Sequence, residues 1–191
     1  AGDLKPQQIK RVKIEDLLGR DLIEMNSSIL KKEFKDKVVL ITGAAGSIGS
    51  EISRQVSEFK AKQVILIDQS ESELYNLQQY FYNLGVDGII SIVADVRNEK
   101  RMDLIIEKYK PTIIFHAAAY KHVPFMEENP YEAVRVNISG TKNIAELAIK
   151  YHAEKFVMVS TDKAVNPTNV MGATKRIAEI QISCLHEKGK T

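Results

Sequence analysis

The chain has little of what would place it in a membrane, outside the cell or on a nucleic acid. It contains no apolar run of about 18 residues, so no segment is predicted to span a membrane. Its single cysteine, Cys184, excludes a disulfide framework within the chain and fits a reducing compartment. The net charge is only +2, without a dominant Lys/Arg block, which argues against nucleic-acid binding. Cys184 lies in an apolar helical pattern, and we interpret it as a core residue.

Two further absences narrow the class. The first residues are polar, which is not the pattern of a signal peptide. We also predict no metal site. The remaining composition, with 44% hydrophobic and 27% charged residues, is ordinary for a globular protein.

The chain does have a regular alternation of short apolar runs and helical patterns. Helical segments are predicted at 47–59, from 70 onward, and at 100–109, 130–152 and 170–187. The second of these begins near Ser70, with Glu73 three residues on as its capping-box partner. Buried parallel strands are predicted at 38–41, 64–67, 89–93, 112–116 and 155–159. This order predicts an α/β fold, a doubly wound parallel sheet of the Rossmann type with about five strands. We expect one domain over 37–191, preceded by an N-terminal arm over 1–36.

Three glycines follow the first predicted strand and open the first predicted helix. Gly43, Gly46 and Gly49 would allow a tight turn, a close approach of the backbone to a diphosphate, and close helix–strand packing. The positive N-terminal end of the helix would face the diphosphate. The sequence therefore predicts a dinucleotide-binding loop, although a glycine turn that merely packs is the alternative.

Acidic residues end the next two predicted strands. Asp68 lies 19 residues after Gly49, where a carboxylate binds ribose hydroxyls and repels a 2′-phosphate, so NAD is favoured over NADP. Asp95 and Val96 are expected to contact adenine, Asp95 at the amino group and Val96 against the ring. The alternative for both carboxylates is helix capping, which is nearly as well supported for Asp95.

Further motifs carry a resemblance. They are the stretches 42–49, 95–96, 116–124 (HAAAYKHVP), 160–167 (STDKAVNP) and 171–175 (MGATK), together with Asn137. On these residues the chain resembles the extended short-chain dehydrogenase/reductases and, within them, the nucleotide-sugar 4,6-dehydratases of the polysaccharide-biosynthesis (CapD-like) group. The resemblance covers about 12–190, and its stretch 12–20 is similar to the leader of membrane-anchored members. That family's domain continues through a sixth strand and a smaller C-terminal substrate-binding part.

The resemblance implies an activity and a set of catalytic residues. The activity is NAD-dependent dehydration of a UDP-N-acetylhexosamine, above all UDP-N-acetylglucosamine, to a 4-keto-6-deoxy sugar for bacterial surface polysaccharide or glycan synthesis. Many members carry Tyr where this chain has Met171, four residues before Lys175. Lys175 would bind the nicotinamide ribose hydroxyls and place positive charge near the C4 oxygen. Because a thioether cannot move a proton, Thr161 with a water is expected to relay the C4 hydroxyl proton. Asp162 would protonate the leaving C6 hydroxyl, with its pKa raised by burial, and Lys163 would remove the C5 proton as a neutral amine.

The resemblance and the residue pattern together give the remaining expected contacts. Lys121 and His122 follow the fourth strand and are expected at the substrate or at a neighbouring subunit, although a lone His is more often structural. Asn137, in the middle of a helix, is expected to bend or bridge that helix beside the site. The expected cofactor contacts are Gly43, Ala45, Gly46, Ser47, Ile48, Gly49, Asp68, Asp95, Val96, Ala117, Ala118 and Lys175.

Partners and alternatives complete the prediction. We expect a UDP-sugar substrate and a homo-oligomer, in the cytoplasm or in the cytoplasmic part of an inner-membrane protein. One alternative is a related UDP-sugar epimerase or reductase, which Met171 disfavours because those enzymes need a Tyr-type proton carrier. The other is a non-catalytic nucleotide-binding module, which the retention of Thr161, Asp162, Lys163 and Lys175 disfavours. Asp162 as a turn cap and Lys163 as a solvated charge also remain open.

Overall fold

A computed structural model describes residues 27–187, and these residues form a five-stranded parallel sheet with helices on both faces. The strand order β3-β2-β1-β4-β5 is that of a doubly wound sheet, so the predicted fold class is confirmed. The strands are β1 Val38–Thr42, β2 Gln63–Asp68, β3 Ile89–Val93, β4 Ile113–His116 and β5 Lys155–Met158. The helices are α1 Ser27–Phe34, α2 Ser47–Glu58, α3 Glu71–Asn83, α4 Glu99–Tyr109, α5 Val123–Glu128, α6 Pro130–Ala133, α7 Thr141–Lys150 and α8 Val170–Glu187.

The central strands are buried on both faces because both sheet faces carry helices. Alternate residues of β1 and β2 point to opposite sides. Val39 and Leu66 pack in a core with α1, α2 and α3, whereas Leu40 and Ile65 pack in a second core with α4 and α7. This arrangement explains why the sequence shows continuous apolar runs at these strands and not an alternating pattern.

Helix α1 falls inside the predicted N-terminal arm, and Phe34 is its main core contact. The Phe34 ring stacks on Phe59, with centroids 5.6 Å apart, and Glu33 accepts a hydrogen bond from Lys155 at 2.6 Å. Residues 1–26 of the predicted arm, including the stretch 12–20, lie outside the described residues. Within 27–187, no helix combines the length and the apolar character needed to cross a membrane.

The long helix predicted at 130–152 is interrupted. Helices α6 and α7 are joined by a π-helical turn, Val134–Gly140, which contains Asn137. The expectation that Asn137 distorts this helix is confirmed, since a π turn widens the helix by one residue and often marks a functional site.

Two local expectations were wrong. Ser70 is the N-cap residue of α3 but its side chain makes no capping bond, so the predicted capping box with Glu73 does not form. Cys184 is exposed and not a core residue, because α8 buries only its first half, from Met171 to Ala178.

A buried histidine joins the sheet to the helices. The His116 side chain lies opposite Thr42 in the sheet register, and its Nδ1 is 2.7 Å from the Thr42 hydroxyl. Its Nε2 is 2.9 Å from the Thr141 hydroxyl, which itself donates to the Asn137 carbonyl at 2.7 Å. Since that hydroxyl proton is used, Nε2–H must donate to Thr141, and Nδ1 accepts from Thr42. Burial, with the charge of Lys175, lowers the pKa of His116 to about 3, so the ring is neutral.

Candidate active site

The carboxyl ends of the five strands gather the residues that the sequence singled out. Two clefts open there, one of about 250 Å³ beside the glycine loop and one of about 360 Å³ beside the end of β5. Ala117, Ala119 and Tyr120, which follow β4, line both clefts and separate them. We call them the first and the second cleft. Their position at the strand order's switch point is where open α/β sheets bind ligands.

At two positions of the glycine loop, neighbouring backbone atoms lie so close that a side chain would not fit. Gly43 has φ +65°, and a Cβ on it would lie 2.5 Å from the Ala118 backbone nitrogen. A Cβ on Gly49 would collide with the Gly43 carbonyl. Both positions therefore require glycine for packing alone.

Gly46 differs from the other two glycines. Its φ of −69° suits any residue, and a Cβ there would meet only the Gly43 carbonyl at 3.3 Å. Gly46 lines the first cleft and is the N-cap of α2, without a side-chain cap. This leaves room for a diphosphate to approach the positive end of α2, so the cradle fits the phosphates of a dinucleotide.

The carboxylate of Asp68 links the glycine loop to α3. Oδ2 accepts the backbone N–H of Ala45 at 2.9 Å, and Oδ1 accepts that of Ser70 at 2.9 Å. Asp68 lines the first cleft, together with the α3 residue Glu73. Two carboxyl side chains at this wall disfavour an additional phosphate. Sequence reasoning placed Glu73 in a capping box and did not predict it at the cleft.

Asp95 and Val96 also line the first cleft, but Asp95 is already engaged. It binds Arg97, which sequence reasoning missed because an Arg four residues after a strand carries no motif. Burial acts to raise the pKa of Asp95, but the hydrogen bonds and charge of Arg97 outweigh it and lower the pKa. The capping alternative is not realised, since Asn98 is the N-cap of α4.

Lys175 is the buried cation of the second cleft. It is 5% exposed, and its Nζ donates to the Val159 carbonyl at 2.6 Å. Burial lowers the pKa of Lys175, and the nearby carboxylate of Glu179 opposes this only in part. The bond to Val159 fixes the ammonium between α8 and the end of β5.

The loop after β5 supplies the polar groups at the mouth of the second cleft. Thr161 and Lys163 line it, and Thr161 Oγ1 donates to Asp162 Oδ1 at 3.0 Å. Lys163 Nζ lies 3.7 Å from the same Asp162 oxygen. Gly172 allows α8 to approach this loop, because a Cβ there would collide with the Lys163 carbonyl.

The expected burial of Asp162 is wrong. Its side chain is 88% exposed, and the hydrogen bond from Thr161 together with the charge of Lys163 lowers its pKa, so the carboxyl group is ionised. The Lys163 side chain is 52% exposed. Both residues follow β5, which lies at the edge of the sheet formed by residues 27–187, and within these residues no further strand lies beside them.

Met171 lies both in the core and at the cleft. It is 3% exposed and packs with Met126 and Ala133, and part of it lines the second cleft. One turn along, Thr174 receives a hydrogen bond from the Asn137 side chain at 3.0 Å. Asn137 also holds the backbone N–H and carbonyl of Tyr120, at 2.8 and 3.0 Å, which agrees with its expected supporting role.

The other residues that the sequence singled out lie at different places around the two clefts. Lys121 lines the second cleft and donates to the Ser47 hydroxyl at 3.3 Å, whereas His122 lies at the start of α5 and lines a separate surface groove. Ser47 and Ile48 line the second cleft, while Ala118 lines the first. The Ser160 hydroxyl donates a hydrogen bond to Glu179 Oε1 on α8 at 2.5 Å, and the sequence spacing did not predict this contact.

Sequence comparison decides the family. The profile described as "Polysaccharide biosynthesis protein" matches residues 39–191. The chain belongs to this family. The resemblance to the polysaccharide-biosynthesis (CapD-like) group is thereby confirmed.

Individual relatives agree with the family. The chain is 49% identical over 189 residues to the capsular polysaccharide biosynthesis protein CapD of Staphylococcus aureus, covering 98% of this chain and 32% of CapD. It is 33% identical over 143 residues to a UDP-N-acetylglucosamine 4,6-dehydratase (inverting) of Campylobacter jejuni, covering 74% and 41% of the two chains. The X-ray structure of Pen from Bacillus thuringiensis is 41% identical with a TM-score of 0.76, covering 82% and 49%. The chain thus spans a third to a half of these proteins.

Alanine substitutions at two loop glycines should distinguish a role in folding from a role in dinucleotide binding. Gly49→Ala forces a methyl group into the Gly43 carbonyl and is expected to lower the free energy of unfolding by about 1–3 kcal/mol or more. Gly46→Ala is expected to change stability by less than about 1 kcal/mol and to weaken dinucleotide binding at least about tenfold. Thermal unfolding and calorimetric titration measure the two effects. Undiminished binding by Gly46→Ala would contradict the assignment of the cradle.

Removal of the Thr161 hydroxyl tests the charge state of Asp162. That hydroxyl donates to the ionised carboxylate, so Thr161→Val is expected to raise the pKa of Asp162. Carbon-detected NMR titration of the Asp162 carboxyl measures the change. The exposed Thr168 offers a control, and Thr168→Val should leave that titration unaltered. An unchanged or lower Asp162 pKa in Thr161→Val would show that the hydrogen bond is absent.

Proposed function

We propose that the chain is the NAD-binding part of an enzyme that dehydrates a UDP-N-acetylhexosamine, in the first place UDP-N-acetylglucosamine, to its 4-keto-6-deoxy form. The reaction would serve surface polysaccharide synthesis in the bacterial cytoplasm. The observation that carries the proposal is the second cleft, where Thr161, Lys163 and Lys175 surround a space next to the glycine loop and Met171 occupies the place of the usual Tyr. The dehydratase of Campylobacter jejuni, similar over 74% of this chain, supports the same reaction class.

The cofactor would lie across both clefts. The glycine cradle fits its diphosphate, and Asp68 and Glu73 at the first cleft favour NAD over NADP. When bound, NAD⁺ supplies a hydride acceptor for sugar C4 and returns the hydride at C6. Lys175, held by the Val159 carbonyl, keeps further N–H donors to orient a ribose hydroxyl and the C4 oxygen.

The contact between Thr161 and Asp162 suggests how Met171 can replace Tyr. As the C4 hydroxyl is oxidised, its proton passes to Thr161, directly or through a water, while Thr161 gives its own proton to the ionised Asp162. Asp162 then carries the proton that the leaving C6 hydroxyl needs. Because its pKa is lowered, Asp162 is ionised at the start of the cycle, and an ionised carboxylate has a free position for this proton.

Lys163 completes the proton transfers. The 4-ketone acidifies the C5 proton. Lys163, whose half-exposed ammonium first releases a proton to solvent, would then remove the C5 proton as a neutral amine while Asp162 protonates the C6 oxygen and water leaves. After the hydride returns to C6, Lys163 gives its proton back to C5. Each proton-transfer role is typically worth about 10²–10⁴-fold in rate.

Mass spectrometry tests the proposal. UDP-N-acetylglucosamine is incubated with NAD⁺ and this chain, and separately with a longer protein that continues through the part present in the relatives. The expected result is loss of one water from the sugar nucleotide with no net NADH. Dinucleotide binding without water loss in either protein would contradict the dehydratase and favour a binding module.

The variant Lys163→Ala sharpens this test. It should lower the rate of water loss by about 10²–10⁴-fold and leave the affinity for NAD unchanged. Lys142→Ala, which removes an exposed lysine of α7 paired with Glu146, is the matched control and should retain both properties. A Lys163→Ala variant with full turnover would remove Lys163 from the mechanism.

A further inference from the structure

Arg97 connects two carboxylates at the first cleft. Its Nε donates to Asp95 Oδ2 at 2.8 Å, and its Nη2 lies 2.6 Å from the same oxygen. Its Nη1 donates to Glu132 of α6 at 2.6 Å, and its backbone N–H donates to Asp95 Oδ1 at 2.8 Å. The Arg97 side chain is three-quarters buried, so these contacts define one conformation.

The contacts leave Asp95 with a single open acceptor position. A carboxylate oxygen accepts about two hydrogen bonds. Oδ2 uses both on the Arg97 guanidinium, whereas Oδ1 uses one on the Arg97 backbone. Asp95 lines the first cleft, where Val96 and Val136 supply apolar surface for a flat ring.

We propose that Arg97 is a positioning residue that makes the first cleft selective for adenine over a 6-oxopurine. This inference rests on the proposed binding of NAD. Held in this way, Asp95 is an ionised group that can only accept hydrogen bonds. The 6-amino group of adenine donates to it, whereas the 6-carbonyl of hypoxanthine would place one acceptor against another.

Glu132 gives the arrangement its rigidity. Glu132 binds the far end of the guanidinium and so keeps Arg97 from turning towards water. If Arg97 did turn away, the Asp95 carboxylate would be free to rotate. Glu132 belongs to α6, which runs directly into the π-helical turn that contains Val136. The two walls of the first cleft are therefore fixed to each other through Arg97. The lowered pKa of Asp95 agrees with its remaining ionised.

Calorimetry with two cofactors tests the inference. The dissociation constants of NAD⁺ and of nicotinamide hypoxanthine dinucleotide, which differ at the purine 6-substituent and in the proton on N1, are measured for this chain. The expected preference for NAD⁺ is about tenfold or more. Arg97→Gln should reduce the preference to about threefold or less, whereas Arg101→Gln, an equal charge change at an exposed residue of α4, should retain it.

The ratio separates positioning from stability, because a loosened fold would weaken both cofactors alike. Asp95→Asn is a second variant, whose amide can turn a donor towards the 6-carbonyl, and it should abolish or reverse the preference. Preference retained in both Arg97→Gln and Asp95→Asn would overturn the inference. Equal binding of the two cofactors by the unsubstituted chain would also overturn it and leave the proposed function standing. Binding of neither cofactor would remove the proposed function and the inference together.

Discussion

The neutral imidazole of His116 is the contact on which the rest of the site depends. A buried polar group must be hydrogen-bonded, and His116 satisfies both nitrogens with Thr42 of β1 and Thr141 of α7. Thr141 continues to the Asn137 carbonyl, and the Asn137 side chain reaches Thr174 of α8. One line of hydrogen bonds therefore runs from the strand that carries the glycine loop to the helix that carries Met171 and Lys175. Because each group has one acceptable partner arrangement, this line fixes the position of α8 over the sheet.

Two glycines set how closely the segments around the site approach one another. Gly43 brings the loop against the backbone after β4, and Gly172 brings α8 against the loop after β5. The result is two adjoining clefts that share Ala117, Ala119 and Tyr120, one with carboxylates and apolar side chains and the other with three lysines. A dinucleotide across both clefts would place its reactive end beside the lysines, which is why the same architecture supports both cofactor binding and proton transfer.

Much of this could be predicted from the sequence, and the rest depended on tertiary contacts. The bounds of β3 and α8 were predicted to the residue, because continuous apolar runs and helical periodicity come directly from burial. The turn at the glycine loop and the distortion of the helix at Asn137 were also predicted. Each follows from the backbone preference of the residue type at that position. The interaction of Arg97 with Glu132 joins two residues that are 35 positions apart in the sequence, and no local sequence pattern predicts it. The exposure of Asp162 and Cys184 could not be predicted either. It depends on which elements pack against the end of β5 and against the second half of α8, and that is decided by the tertiary fold.

Nitrogen-15 NMR of the His116 side chain tests whether the hydrogen-bonded line exists. We expect a neutral ring with its proton on Nε2, unchanged from neutral pH down to about pH 4.5, since burial lowers its pKa to about 3. The lowered pKa also means that His116 stabilises the fold fully above its ordinary value of 6.5, and that this contribution is lost as the pH falls from there towards about 3. A proton on Nδ1, or a titration midpoint near the ordinary value, would contradict the hydrogen-bonded line from β1 to α8.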